Sequence, residues 1–156
     1  MMHFMRETIP AIRILPMSDK LELFRKWDIE DVQEIFFLRH LPKYKGRFRY
    51  PSTGLSSPSG TLVLFQYKAR IVASAKLIRD ERFKRPVRGS AGAFWFDVGS
   101  IRTFNPLDIE GMRKVFPGMR RFGHIKQVLN PAKYADFKRK LKNVRTATNA
   151  VYVTQE

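Results

Sequence analysis

Apolar positions along this chain change period several times. Ala11-Ile12-Arg13-Ile14-Leu15, bracketed by Pro10 and Pro16, reads as a short strand. Ser18 is a good N-cap with Glu22 in the following turn, and Leu21, Phe24 and Trp27 then recur at helical spacing. Asp28 caps a second helix, with Asp31 at the capping-box position. Ile29, Val32, Ile35 and Phe36 give that helix one apolar face, and the pattern ends near Leu38. Residues 61–67 and 71–78 are rich in β-branched and aromatic residues and predict two strands joined by Lys68-Ala69-Arg70. Ile71, Ala73, Ala75 and Leu77 alternate with Val72, Ser74, Lys76 and Ile78, as in a hairpin with one solvated face. Residues 79–90 read as a basic loop, 93–98 as a third strand and 100–104 as a fourth. Residues 107–115 predict a short helix with Asp108 and Glu110 in its first turn, closed by Pro117-Gly118. Residues 122–129 fit neither period. Asn130 and Pro131 open a last helix whose stripe is Tyr134, Phe137 and Leu141 and whose outside is Lys133, Lys138, Lys140 and Lys142.

The resulting order is a helical start, a β-rich middle and a helical finish. It predicts one α+β domain over 1–156 and not an alternating βαβ chain. Within it, 1–38 is an acidic helical start, 39–142 a basic β-rich body with a closing helix, and 143–156 a weakly ordered tail or an edge strand through Val151-Tyr152-Val153. The chain has 156 residues, of which 44% are hydrophobic, enough for a real core and against wholesale disorder. Its apolar runs fall far short of the roughly 20 residues a spanning helix needs. The first 15 residues carry Arg6, Glu7, Pro10 and Arg13, which leaves no secretory signal core. No membrane partner is expected.

Charge changes the picture most. Thirty Lys and Arg against fourteen Asp and Glu give +16. Residues 1–38 hold five basic and seven acidic side chains, net −2, so the remaining 25 basic and 7 acidic put +18 on residues 39–156. A small domain needs a net charge of only about 2–8 for solubility. The excess predicts a polyanionic partner, foremost DNA or RNA.

Catalytic chemistry is sparse by comparison. Cys is absent, which excludes disulfides, thiolate metal sites and cysteine nucleophiles, and fits a reducing, cytoplasmic setting. No P-loop, G-x-G-x-x-G, G-x-S-x-G or H-E-x-x-H occurs. His3, His40 and His124 share no local metal spacing, and no metal or other cofactor is expected. His124 lies among basic residues and is the candidate general base of an alternative nuclease reading. Asp28, Glu30, Asp31 and Glu34 suit the first turns of helices. Asp80 and Asp97 with Lys76 are the one set that a two-metal nuclease could use.

The aromatic residues are interleaved with the basic ones. Arg39, Lys43, Lys45, Arg47 and Arg49 alternate with Tyr44, Phe48 and Tyr50, ahead of a turn-rich loop over 51–60 that is either a lid or mobile. Phe94 and Phe96 share one face of their strand and Trp95 takes the other, either filling the core or offering a stacking platform to a base. Trp27 reads as core. Four basic runs, 39–49, 79–88, 113–121 and 133–145, surround the β-rich middle. Two phosphates for each would give about eight contacts and a log–log salt slope of about −7 on duplex DNA.

Gly60-Thr61-Leu62-Val63-Leu64-Phe65-Gln66-Tyr67 followed by Ile71-Val72-Ala73-Ser74-Ala75 resembles the central strands of PUA-like domains. The aromatic strand Phe94-Trp95-Phe96, then Ile101-Arg102-Thr103-Phe104, and the late Phe122, Gln127 and Leu129 are similar to the order in the EVE, ASCH, YTH and SRA-like readers of modification-dependent restriction nucleases. The resemblance covers roughly 40–142. It implies a small curved mixed sheet or pseudo-barrel flanked by helices, with a pocket for a modified, flipped or single-stranded base. On this reading Tyr44, Tyr50, Trp95 and Phe96 are pocket walls. Arg47, Arg49, Arg82, Arg85, Arg120, Arg121, Lys126 and Lys138 are the phosphate contacts. A separate effector or nuclease subunit would then supply catalysis. The alternatives are a small basic ribonuclease or toxin-like nuclease and a structural protein that binds phosphates alone.

Overall fold

The computed structural model describes residues 8–18, 24, 26–123 and 126–147. These form an α+β fold built on an eight-stranded mixed sheet. The strands are β1 (Ile12–Pro16), β2 (Arg47–Tyr50), β3 (Leu62–Tyr67), β4 (Arg70–Val87), β5 (Ser90–Phe96), β6 (Arg102–Leu107), β7 (Val128–Leu129) and β8 (Arg145–Thr146). β1 and β3 are parallel, and every other pairing is antiparallel.

β4 organises the sheet. Its early residues pair with β3 through Leu62↔Lys76 to Tyr67↔Arg70. Along its other edge lie, head to tail, β6 (Ser74↔Arg102) and β5 (Leu77↔Phe96 to Val87↔Ser90). The 3-10 turn Val98–Ser100 separates them. Asp97 N donates to Lys76 O at 2.9 Å and Lys76 N to Ser100 Oγ at 2.7 Å, so the backbone groups left by the kink are satisfied. Residues 79–87 are therefore strand, not the loop expected from their charge. Cross-strand pairing with β5 outweighs the weak β preference of Arg and Lys there.

A helix runs continuously through α1 (Ile29–Asp31), the π-helical stretch Val32–His40 and α2 (Leu41–Lys43). Asp28 opens it: its side chain accepts from Asp31 N at 2.8 Å, and Asp31 Oδ2 accepts from Asp28 N at 3.2 Å. The π stretch reaches five residues back, as when Leu41 N bonds Phe36 O. That widening buries Val32, Gln33, Phe36, Phe37 and Leu38 and turns Ile35 out to 39% exposure, so the single apolar face over 29–38 is not the one formed. Gln33 Nε2 donates to Val72 O at 3.0 Å and Phe104 O at 2.7 Å, where the β4–β6 register shifts. Two further helices, α3 (Ile109–Val115) and α4 (Tyr134–Lys140), follow, the latter after a 3-10 turn capped by Asn130.

Two apolar clusters flank the sheet. Val63, Phe65 and Tyr67 join Phe36, Phe37, Phe94 and Phe96 in one. Leu62 and Leu64 join Ile12, Ile14, Met112 and Phe137 in the other. Residues 62–65 of β3 and 71–75 of β4 are thus buried on both faces, and the solvated face expected of that hairpin begins only beyond Lys76. The cover is the π stretch on one side and α3 with α4 on the other. β8 adds an edge to β6, whereas Val151-Tyr152-Val153 and the positions Leu21 and Glu22 lie outside the described residues. No helix among the described residues is long and apolar enough to cross a membrane.

Candidate nucleic-acid interface

The chain leaves α2 through Tyr44, Lys45 and Gly46, the last two at φ of 61° and 80°. A Cβ on Gly46 would lie 2.0 Å from Phe96 O, so glycine is required both for the left-handed backbone and for the close approach. Gly46 N donates to Leu41 O at 2.8 Å and Phe96 N to Gly46 O at 2.8 Å. This tight exit lays β2 against β5 and brings the end of the helix beside β2.

Between them opens a cleft of about 450 Å³. Its walls are the rings of Phe24, Phe36, His40, Tyr44 and Phe48, and its charged lining is Arg47, Arg49 and Arg88. His40 stacks on Phe36 with centroids 5.4 Å apart at 24°, and Tyr44 leans on His40 at 4.7 Å. Tyr44 keeps 52% of its surface exposed. Burial, and then the nearby Lys43 charge, hold His40 below the ordinary imidazole pKa. Among the described residues no acid lines the cleft. Among the described residues no carboxylate pairs with Arg47, Arg49 or Arg88, and Arg47 Nε is buried without an acceptor. A buried donor without a partner is costly in the free protein.

Trp95 lies next to this cleft, on the outer face of the β2–β5–β4 half-sheet. It is half-buried and donates Nε1–H to Glu81 Oε1 at 3.0 Å. The guanidinium of Arg79 lies 5.0 Å from its ring centroid and that of Arg47 5.5 Å. Arg47 also lies 5.9 Å from the centroid of Phe83. The registers Arg47↔Trp95 and Arg79↔Trp95 place the three residues in one row across β2, β5 and β4. Trp95 is thus neither plain core nor a bare stacking surface: arginines occupy its ring.

Two other expected pocket walls lie inside the protein. Phe96 is fully buried in the core. Tyr50 is 3% exposed and donates its hydroxyl to Asp80 Oδ1 at 2.7 Å. Burial, then that carboxylate, push the Tyr50 pKa up. Both residues sit on the inward face of their strands, where alternation directs them to the aromatic cluster. Neither offers a ring to a ligand.

The 51–60 loop is tied down on several sides. Asp80 Oδ2 accepts from Leu55 N at 2.9 Å, and a Cβ on Gly54 would meet that oxygen at 2.0 Å. Leu55 is buried in the core. Arg13 donates to Leu55 O, Ser57 Oγ, Lys126 O and Gln127 O, at 2.6, 2.8, 2.9 and 3.3 Å. Lys126 Nζ donates to Thr53 Oγ1 at 2.9 Å, and Arg82 to Ser52 O at 3.4 Å.

The remaining basic candidates are spread out. Arg82 and Arg85 are exposed on the far part of β4, Arg120 and Arg121 follow α3, and Lys138 lies over the Tyr134 ring on α4. The nuclease alternatives find less. Asp80 is engaged with Tyr50 and Leu55, and Asp97 accepts from Gly99 N at 3.0 Å. No group of three or more metal-ligating side chains is present among the described residues, and His124 lies outside them.

His40, Arg79, Phe83 and Arg88 join the candidate interface without an expected role there, and Phe48, named only among the interleaved aromatics, lines the cleft. The spacing of four between His40 and Tyr44 was the available signal, because it stacks two rings on one helix face. Comparison of the chain with protein-family models, with curated proteins and with solved structures gave no match.

Proposed function

We propose that this protein is a nucleic-acid-binding module that takes a base into the aromatic cleft and sets phosphates on the arginines around it. The observation that carries the reading is the cleft itself: among the described residues it has five rings and three arginines without carboxylate partners and no acid, in a chain of net charge +16. Rings of this kind contribute about 1–3 kcal/mol per stacked base, and the guanidiniums supply charge-assisted bonds to phosphate oxygens. The resemblance to PUA-like readers belongs to the same proposal. It is supported by a mixed sheet whose long strand β4 pairs with β6 along one part and with β5 along the next, with register shifts in both pairings.

The test is a fluorescence anisotropy titration of labelled RNA and DNA, with and without methylated bases, at several salt concentrations. Arg49→Glu and Arg88→Glu act at exposed positions outside the core. Each is expected to weaken binding at least tenfold and to lower the magnitude of the salt slope by about 1. A tenfold preference for a methylated base would identify a modification reader. Binding that neither variant changes would refute the cleft as the site. Binding with a steep salt slope and no effect of the ring residues would establish a phosphate-only protein.

A further inference from the structure

We infer that the strand bound is single-stranded and of either sugar type, and that its backbone turns around the edge of β2 from the cleft to the row of stacked arginines on the outer face. This rests on the nucleic-acid reading above. The first ground is what the cleft shows a base. Its walls are aromatic rings, and among the described residues no Asn, Gln, Asp or Glu side chain lines it to read base edges. Paired bases keep their faces covered by neighbours in the stack and present only edges, so ring walls suit an unpaired base and tolerate any of them.

The second ground is Arg47, which lines the cleft and also stacks between Trp95 and Phe83 on the outer face. Among the described residues β2 pairs with β5 alone, so its other edge carries no described strand. The third is the row itself. Arg79, Trp95 and Arg47 occupy three neighbouring strands, which at roughly 4.8 Å per strand span about 10 Å. A guanidinium stacked on a ring keeps its N–H edge open to phosphate oxygens. Glu81, the acid beside the row, is held by the Trp95 indole N–H.

The experiment is anisotropy with the full chain and labelled strands of about 12 nucleotides, within the range of single-strand sites. Oligo-U RNA, oligo-dT DNA and duplexes of matched length are compared at about 50 and 200 mM salt. Single strands of both kinds are expected to bind at least tenfold more tightly than duplex. Tyr44→Ala, at an exposed position, should weaken single-strand binding fivefold or more and bring the two forms closer. Arg79→Ala should lower the magnitude of the single-strand salt slope by about 0.7. Equal or tighter duplex binding, or a single-to-duplex ratio unchanged by Tyr44→Ala, overturns this inference and leaves the nucleic-acid reading in place. An Arg79→Ala slope equal to that of the unaltered protein removes the outer row from the path. No binding of either form at 50 mM salt overturns both readings.

Discussion

The guanidinium of Arg47 stands 5.5 Å from the ring centroid of Trp95, its directly opposed partner across β2 and β5. The edge strand β2 thus holds a cation against a ring of its partner strand. The ring orients a cation that has no acceptor at Nε, and the strand register holds the two side by side. A double-mutant cycle with Arg47→Leu and Trp95→Leu, read by urea unfolding, should give a coupling of about 0.5–1 kcal/mol. A coupling of zero would mean that the two side chains are neighbours without attraction.

Arg13 organises the opposite side of the sheet. Its guanidinium bonds three carbonyls and the Ser57 hydroxyl, joining β1 to the 51–60 loop and to residues 126–127. Burial lowers its pKa, yet it remains charged at any ordinary pH. Arg13→Met keeps the stem and removes every donor. It should cost about 2–4 kcal/mol and raise amide exchange across 52–58. Stability within 0.5 kcal/mol of the original would show that the loop is held without it.

The β3–β4 turn carries a local conflict. Lys68 and Ala69 sit at φ of 49° and 60°, the left-handed region that a two-residue hairpin needs. Neither residue favours it. Ala69→Gly should therefore stabilise the fold by about 1 kcal/mol, visible as a higher Tm with unchanged nucleic-acid affinity. A lower Tm would show that the greater freedom glycine gives the unfolded chain outweighs the relief.

His40 gives the cleft a pH response. Its folded pKa lies below the ordinary value of about 6.5, so between the two the unfolded chain binds more protons than the folded one. Stability from this residue is present above pH of about 6.5 and is lost as pH falls through the folded pKa. Protonation also adds a cation beside Lys43, Arg47 and Arg49, so affinity for a phosphate-bearing strand should rise over the same fall in pH. His40→Gln should flatten both trends. The check is denaturation and anisotropy from pH 5 to 8, and an unchanged profile in the variant would exclude His40 as their source.

Much of the fold is visible in local pattern. The Asp28–Asp31 capping box, the Asn130 cap and the strands at 12–16 and 62–67 follow from residue types and spacing. What is not visible depends on tertiary partners. A π stretch cannot be told from an α-helix by apolar spacing when its buried set includes a Gln, and Gln33 is buried because two carbonyls at the β4–β6 register shift need a donor. Residues 79–87 look like a loop because their partner strand lies across the hairpin. At the cleft, the alternation of Arg and aromatic residues over 44–50 marks a segment that lines it. It does not separate Tyr44, at the cleft, from Tyr50, in the core, because the alternation does not mark where α2 ends, at Tyr44, and where β2, which turns Tyr50 inward, begins.

The most direct test of the central claim locates the base. A strand carrying a photoreactive uracil is cross-linked to the full chain, and the linked peptide is identified by mass spectrometry. The account predicts adducts within residues 40–48, on His40, Tyr44 or Phe48, reduced in Tyr44→Ala. Adducts confined to residues 120–142, with none in 40–48, would contradict it.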